Sequence, residues 1–138
     1  MNRKMTSCLS AGVTMLLMSA ALVAHHAESA QFDNANPVEV KGVVKKVEWM
    51  NPHIWFYVDV TDDTGKVTTW GFSGGPPGML ARRGFTKDTL KPGDVVTVQG
   101  ARAKDGSNNA SGRRLLFADG RAVFPNAAEV AVGNAAPR

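Results

Sequence analysis

The chain has 138 residues, of which 43% are apolar, 20% charged and 7% aromatic, with one cysteine and three histidines. This is the length of one domain of ordinary composition. It excludes a multidomain enzyme, a disordered tail protein and a disulfide-rich miniprotein.

The amino-terminal segment has the pattern of a secretory signal peptide. Arg3 and Lys4 precede a mostly apolar run from Val13 to Ala24, which is too short for a permanent membrane anchor and ends in small residues. We expect cleavage after Ala24, with Ala21 as the alternative. Residues 1–24 are therefore predicted to be the signal peptide of a periplasmic or secreted protein.

Cleavage changes what the composition implies. Cys8 lies in the removed segment, so the mature chain has no thiol, disulfide or lipid anchor, and its stability must come from an apolar core. The formal net charge of +4 loses Arg3 and Lys4, which leaves 14 Lys and Arg against 12 Asp and Glu, a net charge of +2. Because no basic stripe remains, we expect no nucleic-acid partner and no stable membrane anchor after cleavage.

From Pro37 the sequence shows the two-residue period of a β-strand. The apolar positions keep one parity as far as Val44 and change parity at Lys45 and Lys46. A strand that continues while its parity changes by one residue predicts a β-bulge, and Gly42 predicts a further bend.

Two further strands complete a predicted meander. The second runs from His53 to Thr61 and the third from Lys66 to Phe72, with turn residues between them. In the second strand, the residues predicted for one face are Ile54, Phe56, Val58 and Val60, and those for the other are His53, Trp55, Tyr57 and Asp59.

The remaining segments follow in the order helix, strand, strand, hairpin. Met79–Arg83 predicts a short helix after a break in the sheet, and Val95–Lys104 and Arg113–Ala118 predict the fourth and fifth strands. Asp119-Gly120 is a strong hairpin signal after the fifth strand. Residues 125–138 lack periodicity and are predicted to be a flexible tail.

This order predicts a mainly β fold. The specific expectation is a small OB-like five-stranded antiparallel barrel over residues 25–124, with one short helix between strands 3 and 4. An antiparallel β-sandwich is the alternative that the same order allows.

Four motifs carry a family resemblance. They are WMNPHIW at Trp49–Trp55, RRGF at Arg82–Phe85, LKPGD at Leu90–Asp94 and AKDGSN at Ala103–Asn108. With His25-His26-Ala27 at the expected cleavage point, they resemble a family of exported bacterial proteins known only as a domain of unknown function. The resemblance covers roughly residues 25–124 and implies export and a small β-rich domain, but no activity. In that family Ser-Phe usually follows the paired histidines directly and Trp often follows the paired arginines, whereas the aromatic residues here are Phe32 and Phe85.

An aromatic stripe is the first candidate site. His53, Trp55 and Tyr57 share one face of the second predicted strand, and Trp70 is expected to extend that face from the third. If the aliphatic face fills the core, these residues form an outer surface on which a ligand or partner can stack. The alternative is that they cover a second small core beneath the amino-terminal segment or the carboxyl-terminal hairpin.

The three histidines are the second candidate site. Cleavage after Ala24 would give His25 a free α-amine beside its own imidazole, His26 would add a nitrogen, and His53 would complete a nitrogen-rich set that favours Cu(II). The sequence therefore predicts a copper site as the alternative function. The competing interpretation is a solvated His25-His26 pair and a hydrogen-bonded His53 in a turn.

Catalysis is not favoured by the sequence. Gly71–Gly75 matches G-x-S-x-G, but every histidine precedes Ser73 and the chain is too short for an α/β-hydrolase. Spacing places no complementary pair of titratable groups together. We therefore expect a non-enzymatic binding or accessory module whose partner is a small ligand or a periplasmic protein.

Overall fold

The computed structural model describes residues 28–123 and residue 125. The chain divides into two units after Gln31, and residues 28–31 at the end of the first unit are helical. The predicted signal peptide, His25, His26 and all of the predicted tail after Pro125 lie outside the described residues. Within them, no helix is both long enough and apolar enough to span a membrane.

From Phe32 onward the described residues form a six-stranded sheet with a short helix. The elements are β1 (Phe32–Glu48), β2 (Trp55–Thr61), β3 (Val67–Ser73), α1 (Pro77–Arg82), β4 (Val95–Ala103), β5 (Asn109–Phe117) and β6 (Ala122–Val123). The strand order is β3-β2-β1-β4-β5-β6. These neighbours pair antiparallel, and β3 pairs additionally with β5 in parallel.

The prediction of a mainly β fold is confirmed, and α1 lies between the third and fourth strands as expected. The sheet has six strands because the chain returns after the Asp119-Gly120 turn and pairs Val123 with Leu115. Gly120 has φ +85°, a conformation that glycine adopts without strain.

Two strands begin earlier than their sequence pattern suggests. β1 starts at Phe32 because this residue pairs with Ala103 of β4, although the register shifts before Pro37. β5 starts at Asn109 instead of the predicted Arg113, because its first residues pair with Gly71–Ser73 of β3. Tertiary pairing decides both boundaries, since these segments lack a regular apolar alternation.

The predicted bulge in β1 is present. Val44 pairs with Val58 and Lys46 with Tyr57, so Lys45 is the extra residue between them. A bulge leaves two consecutive residues opposite one partner and bends the strand. Lys45 and Lys46 are accordingly both exposed, while Val44 before them is buried.

The main core lies on one side of the sheet and beneath α1. Its fully buried side chains are Phe56, Phe72, Ile54, Leu80, Leu90, Leu115, Val44, Val58, Val96, Val98 and Pro125. Phe56 and Phe72 stack at its centre with ring centroids 5.3 Å apart. The aliphatic face of β2 is therefore the buried one.

The motifs that carry the family resemblance pack into this core or shape its turns. Trp49 stacks on Phe85 with ring centroids 6.0 Å apart. Gly93 has φ +96° and donates its N–H to the Val44 carbonyl at 2.8 Å, and the Asp94 carboxylate accepts from the Lys91 N–H. The LKPGD turn is thus fixed against the bulged part of β1.

Pro125, the first residue of the predicted tail, is fully buried. Its carbonyl accepts a hydrogen bond from the Gly75 N–H at 2.5 Å. A Cβ on Gly74 would lie 2.8 Å from that carbonyl and 2.6 Å from Ile54 Cγ1. Glycine is needed at Gly74 because the segment after β3 passes between Ile54 and the backbone of Pro125.

Candidate functional site

Trp55 and Tyr57 lie side by side on the face of β2 that points away from the main core. They alternate with Phe56 and Val58, which are 0% exposed. Their rings stack with centroids 6.4 Å apart and an interplanar angle of 24°. Both are half-buried, so each side chain packs against the protein with part of its surface and exposes the rest.

Trp70 does not belong to this surface, and the expectation that it extends the outer aromatic face is wrong. It pairs directly with Val58 across β2 and β3, and direct partners in an antiparallel pair project to the same face. Trp70 accordingly stacks on Phe72, with centroids 6.3 Å apart, and the Arg102 guanidinium lies 5.5 Å from its ring centroid. The side of the sheet to which Trp70 projects can be assigned only when the register of β3 on β2 is known.

His53 lies in the loop before β2 and is half-buried. Its imidazole makes no ion pair or hydrogen bond within the part of the chain that the structure describes, so the expected turn hydrogen bond is not found there. The described residues contain no group of three His, Cys, Asp or Glu side chains that could hold a metal ion. The other two predicted copper ligands, His25 and His26, lie outside those residues.

Gly71 supports the Tyr57 ring. Tyr57, Gly71 and Asn109 are partners in one row across β2, β3 and β5. A Cβ on Gly71 would lie 3.4 Å from Tyr57 Cε1 and 2.5 Å from Asn109 Oδ1. The absence of a side chain at Gly71 therefore leaves room beside it for both the phenol ring and the Asn109 amide.

Trp55 has a similar support of small residues. Its row continues through Ser73 of β3 and Ser111 of β5, which are 6% and 3% exposed. The indole also packs against a second small buried cluster. That cluster consists of Phe32, Ala101 and Ala103. Trp55 therefore covers a second small core and also contributes to the exposed surface. For this residue, both interpretations of the aromatic stripe, an outer surface and a cover over a second core, hold in part.

A charged pair borders the aromatic rings. Glu48 accepts a hydrogen bond from the Tyr57 hydroxyl at 3.1 Å and forms an ion pair with Lys46. The Lys46 ammonium also lies 5.5 Å from the Tyr57 ring centroid, within cation–π distance. We call the surface formed by Lys46, Glu48, Trp55, Tyr57, Gly71 and Asn109 the outer patch.

The same contacts shift the pKa values of the three titratable groups. The hydrogen bond from Lys46, followed by that from Tyr57, lowers the pKa of Glu48 below 4.5. Burial, followed by the hydrogen bond to Glu48, raises the pKa of Tyr57 above 10.0. The hydrogen bond to Glu48 raises the pKa of Lys46 above 10.5. Ionised Glu48 and neutral Tyr57 are the forms that the folded protein favours near neutral pH.

These shifts give a pH prediction that can be measured directly, because Tyr57 is the only tyrosine in the chain. We expect the tyrosinate absorbance of the folded protein to rise with a midpoint above 10.0. Glu48→Gln should lower that midpoint, since a nearby negative charge is removed, but not abolish the shift due to burial. Asp59→Asn is the control and should leave the midpoint unchanged. An equal midpoint in the wild type and Glu48→Gln would show that the contact does not exist in solution.

The pKa shifts of Tyr57 and Glu48 make the free energy of unfolding depend on pH, in opposite directions. Because the pKa of Tyr57 is raised, this group contributes stability that is present below pH 10.0. That contribution is lost as the pH rises through the pKa of Tyr57 in the folded protein. Because the pKa of Glu48 is lowered, this group contributes stability that is present above pH 4.5. That contribution is lost as the pH falls through the pKa of Glu48 in the folded protein.

A second ion pair continues the charged border along the sheet. The Lys45 ammonium lies 3.4 Å from the Asp59 carboxylate, and Asp59 also accepts a hydrogen bond from the Thr69 hydroxyl. The bulge in β1 therefore places two consecutive lysines on the outer face, and each has an acidic partner.

A second bulge, which the sequence did not reveal, lies in β5. Gln99 pairs with Arg114 and Gly100 with Gly112, so Arg113 is the extra residue. Adjacent residues of a regular strand point in opposite directions, but the bulge allows Arg113 and Arg114 to line the same open cleft of about 420 Å³. Arg113 donates a hydrogen bond to the Asn34 side chain.

A family model matches most of the chain. Residues 13–113 match the model of a family described as a family of unknown function, DUF6152. No curated protein and no solved structure matches the chain significantly. The matched range covers well over half of the chain and contains every residue of the outer patch, from Lys46 to Asn109. The chain therefore belongs to the DUF6152 family.

Proposed function

We propose that this protein is a non-enzymatic binding module whose ligand contacts the outer patch. The observation that carries the proposal is the stacked pair of Trp55 and Tyr57, which is partly exposed on one face of the sheet. Glu48 and Asn109 lie at the edge of this pair. Aromatic rings that are rigidly supported on one side can contact a ligand with little loss of conformational entropy. Hydrogen-bonding groups at the edge would set the orientation of that ligand.

The pairing pattern supports a finer description of the fold. The sheet order runs from β3 through β2, β1 and β4 to β5, and β5 pairs again with β3. We infer a small OB-like barrel of these five strands, with β6 as an extension. OB-folds bind ligands on the face of their second and third strands. The outer patch includes residues of β2 and β3, together with neighbours on β1 and β5, which supports a ligand site at this position of the barrel.

We also propose that the protein is exported. The support is the basic, apolar and small-residue pattern of residues 1–24. On this proposal the mature domain begins at residue 25, and the ligand is a small molecule or a protein of the periplasm or the extracellular space. Mass spectrometry of the amino terminus of the protein recovered from the periplasm tests the cleavage after Ala24 against cleavage after Ala21.

The binding proposal can be tested before the natural ligand is known. Phenol and adenosine should each perturb backbone amide resonances in heteronuclear NMR titrations. We expect the perturbations to cluster on Trp55, Tyr57, Gly71 and Asn109, because ring-shaped probes stack on the open aromatic face. Tyr57→Ala should abolish the cluster, whereas Val67→Ala, at an exposed position outside the patch, should leave it unchanged. Perturbations centred on another surface would contradict the proposal.

Copper binding is the second candidate function. The observation that favours it is the His53 imidazole, which is half-buried and makes no hydrogen bond to the described residues. On this proposal His25 and His26 supply the other nitrogen ligands once the signal peptide is removed. A Cu(II) titration of the mature protein and of His53→Ala tests whether His53 is a copper ligand. Equal affinity in the two proteins would exclude His53 as a ligand.

A further inference from the structure

We propose that the ligand of the outer patch is a neutral saccharide chain, an inference that rests on the proposed function. The first argument is shape. Trp55 and Tyr57 are two residues apart on β2, and their rings stack with centroids 6.4 Å apart and an interplanar angle of 24°. Both side chains are only half-buried, so they expose apolar surface at successive positions along the strand. The C–H faces of successive sugar rings in a chain present a matching row of flat apolar surfaces.

The second argument is charge. The border of the patch contains two cations and two anions, joined as the pairs Lys45–Asp59 and Lys46–Glu48. Each ammonium is therefore already compensated. A single-stranded nucleic acid also stacks on aromatic rings, but it needs uncompensated cations along its phosphates. A ligand without charge leaves both ion pairs intact, so the patch favours a neutral one.

The third argument is the balance of donors and acceptors at the edge. The Glu48 carboxylate and the Asn109 side-chain oxygen are acceptors, while the Trp55 indole N–H has no acceptor in the described part of the chain. Sugar hydroxyl groups donate and accept, and can satisfy all of these groups. A proline-rich peptide also packs on aromatic rings, but its prolines have no N–H to donate to the acceptors.

The test uses isothermal titration calorimetry with defined probes. They are neutral cello-, malto- and chito-oligosaccharides of increasing length, an oligothymidylate and a proline-rich peptide. We expect at least one saccharide series to bind. Its affinity should rise by about tenfold when the chain becomes long enough to cover the second ring. Because no charge is neutralised, the affinity should not change between low and high salt.

Three variants assign the binding to the patch. Tyr57→Ala should weaken saccharide binding by about tenfold. Gly71→Ala keeps both rings but places a Cβ 2.5 Å from the Asn109 side-chain oxygen and 3.4 Å from Tyr57, and should also weaken it. Trp70→Phe, an aromatic change on the core side, is the matched control and should bind as the wild type does. Thermal unfolding of each variant shows that it is folded.

The outcomes separate this inference from the proposed function. Salt-dependent binding of the oligothymidylate at Tyr57, or binding of the peptide there, would overturn the saccharide proposal and keep the binding module. No saccharide binding, together with intact small-probe perturbations at the patch, would also overturn the saccharide proposal alone. Saccharide binding that is unchanged by Tyr57→Ala and Gly71→Ala would overturn the assignment of the site.

Discussion

Gly100→Ala is expected to lower the free energy of unfolding by about 3 kcal/mol, at the upper end of the usual cost of overpacking. A Cβ at this position would lie 2.3 Å from the backbone carbonyl oxygen of Ser111. The backbone cannot easily move away, because β4 also pairs with β1 and β5 also pairs with β3. The measurement is urea-induced unfolding followed by tryptophan fluorescence.

The matched control for this variant is Gly78→Ala in α1. Its nearest neighbour would be the Arg82 Nη1 atom at 3.8 Å, which is ordinary van der Waals contact. Alanine is a better helix former than glycine, so we expect unchanged or slightly higher stability. Equal unfolding midpoints for Gly100→Ala and the wild type would show that β4 and β5 do not approach as closely as described.

Phe85→Ala is expected to cost about 4 kcal/mol of stability, which is typical of removing a buried phenylalanine. Phe85 is 3% exposed and stacks on Trp49 with ring centroids 6.0 Å apart. This contact connects the loop after β1 to the segment after α1. Phe85→Leu should cost less, since it keeps an apolar side chain in the core. Chemical unfolding of both variants gives the two free energies.

Met50 provides the control in the same motif as Trp49. It is 54% exposed, so Met50→Ala should change the stability by no more than about 0.5 kcal/mol. If Phe85→Ala and Met50→Ala were equally mild, core packing could not explain the motifs that carry the resemblance. The expected contrast would instead identify Trp49 and Phe85 as structural residues, which directs the search for function to other positions.

Much of the fold could be predicted because local pattern and final environment agree. The alternation in β2 correctly assigns Phe56 and Val58 to the core, and the change of parity at Lys45 correctly locates a bulge. The Asp119-Gly120 turn also occurs where its composition indicates. Each of these features depends on residues that are close in sequence.

The composition of the outer patch could not be predicted, because it depends on pairing between distant strands. Gly71 and Asn109 are neighbours only through the parallel pairing of β3 with β5. Glu48 reaches Tyr57 only because the bulge sets the register of β1 on β2. For the same reason the sequence predicts the wrong face for Trp70, because the parity of β3 alone does not give its register on β2.

The junction of β3 with β5 has a consequence for the order in which structure and binding surface form. It joins Gly71–Ser73 to Asn109–Ser111, segments that are distant in sequence, and such pairings form after the local hairpins. Tyr57 and Asn109 both lie beside Gly71 in this junction. Separation of β3 from β5 would move Asn109 away from Tyr57 and disrupt the outer patch. A molecule that binds both residues would therefore stabilise the pairing of β3 with β5. Ligand binding and closure of the sheet would then be thermodynamically linked, because each would favour the other.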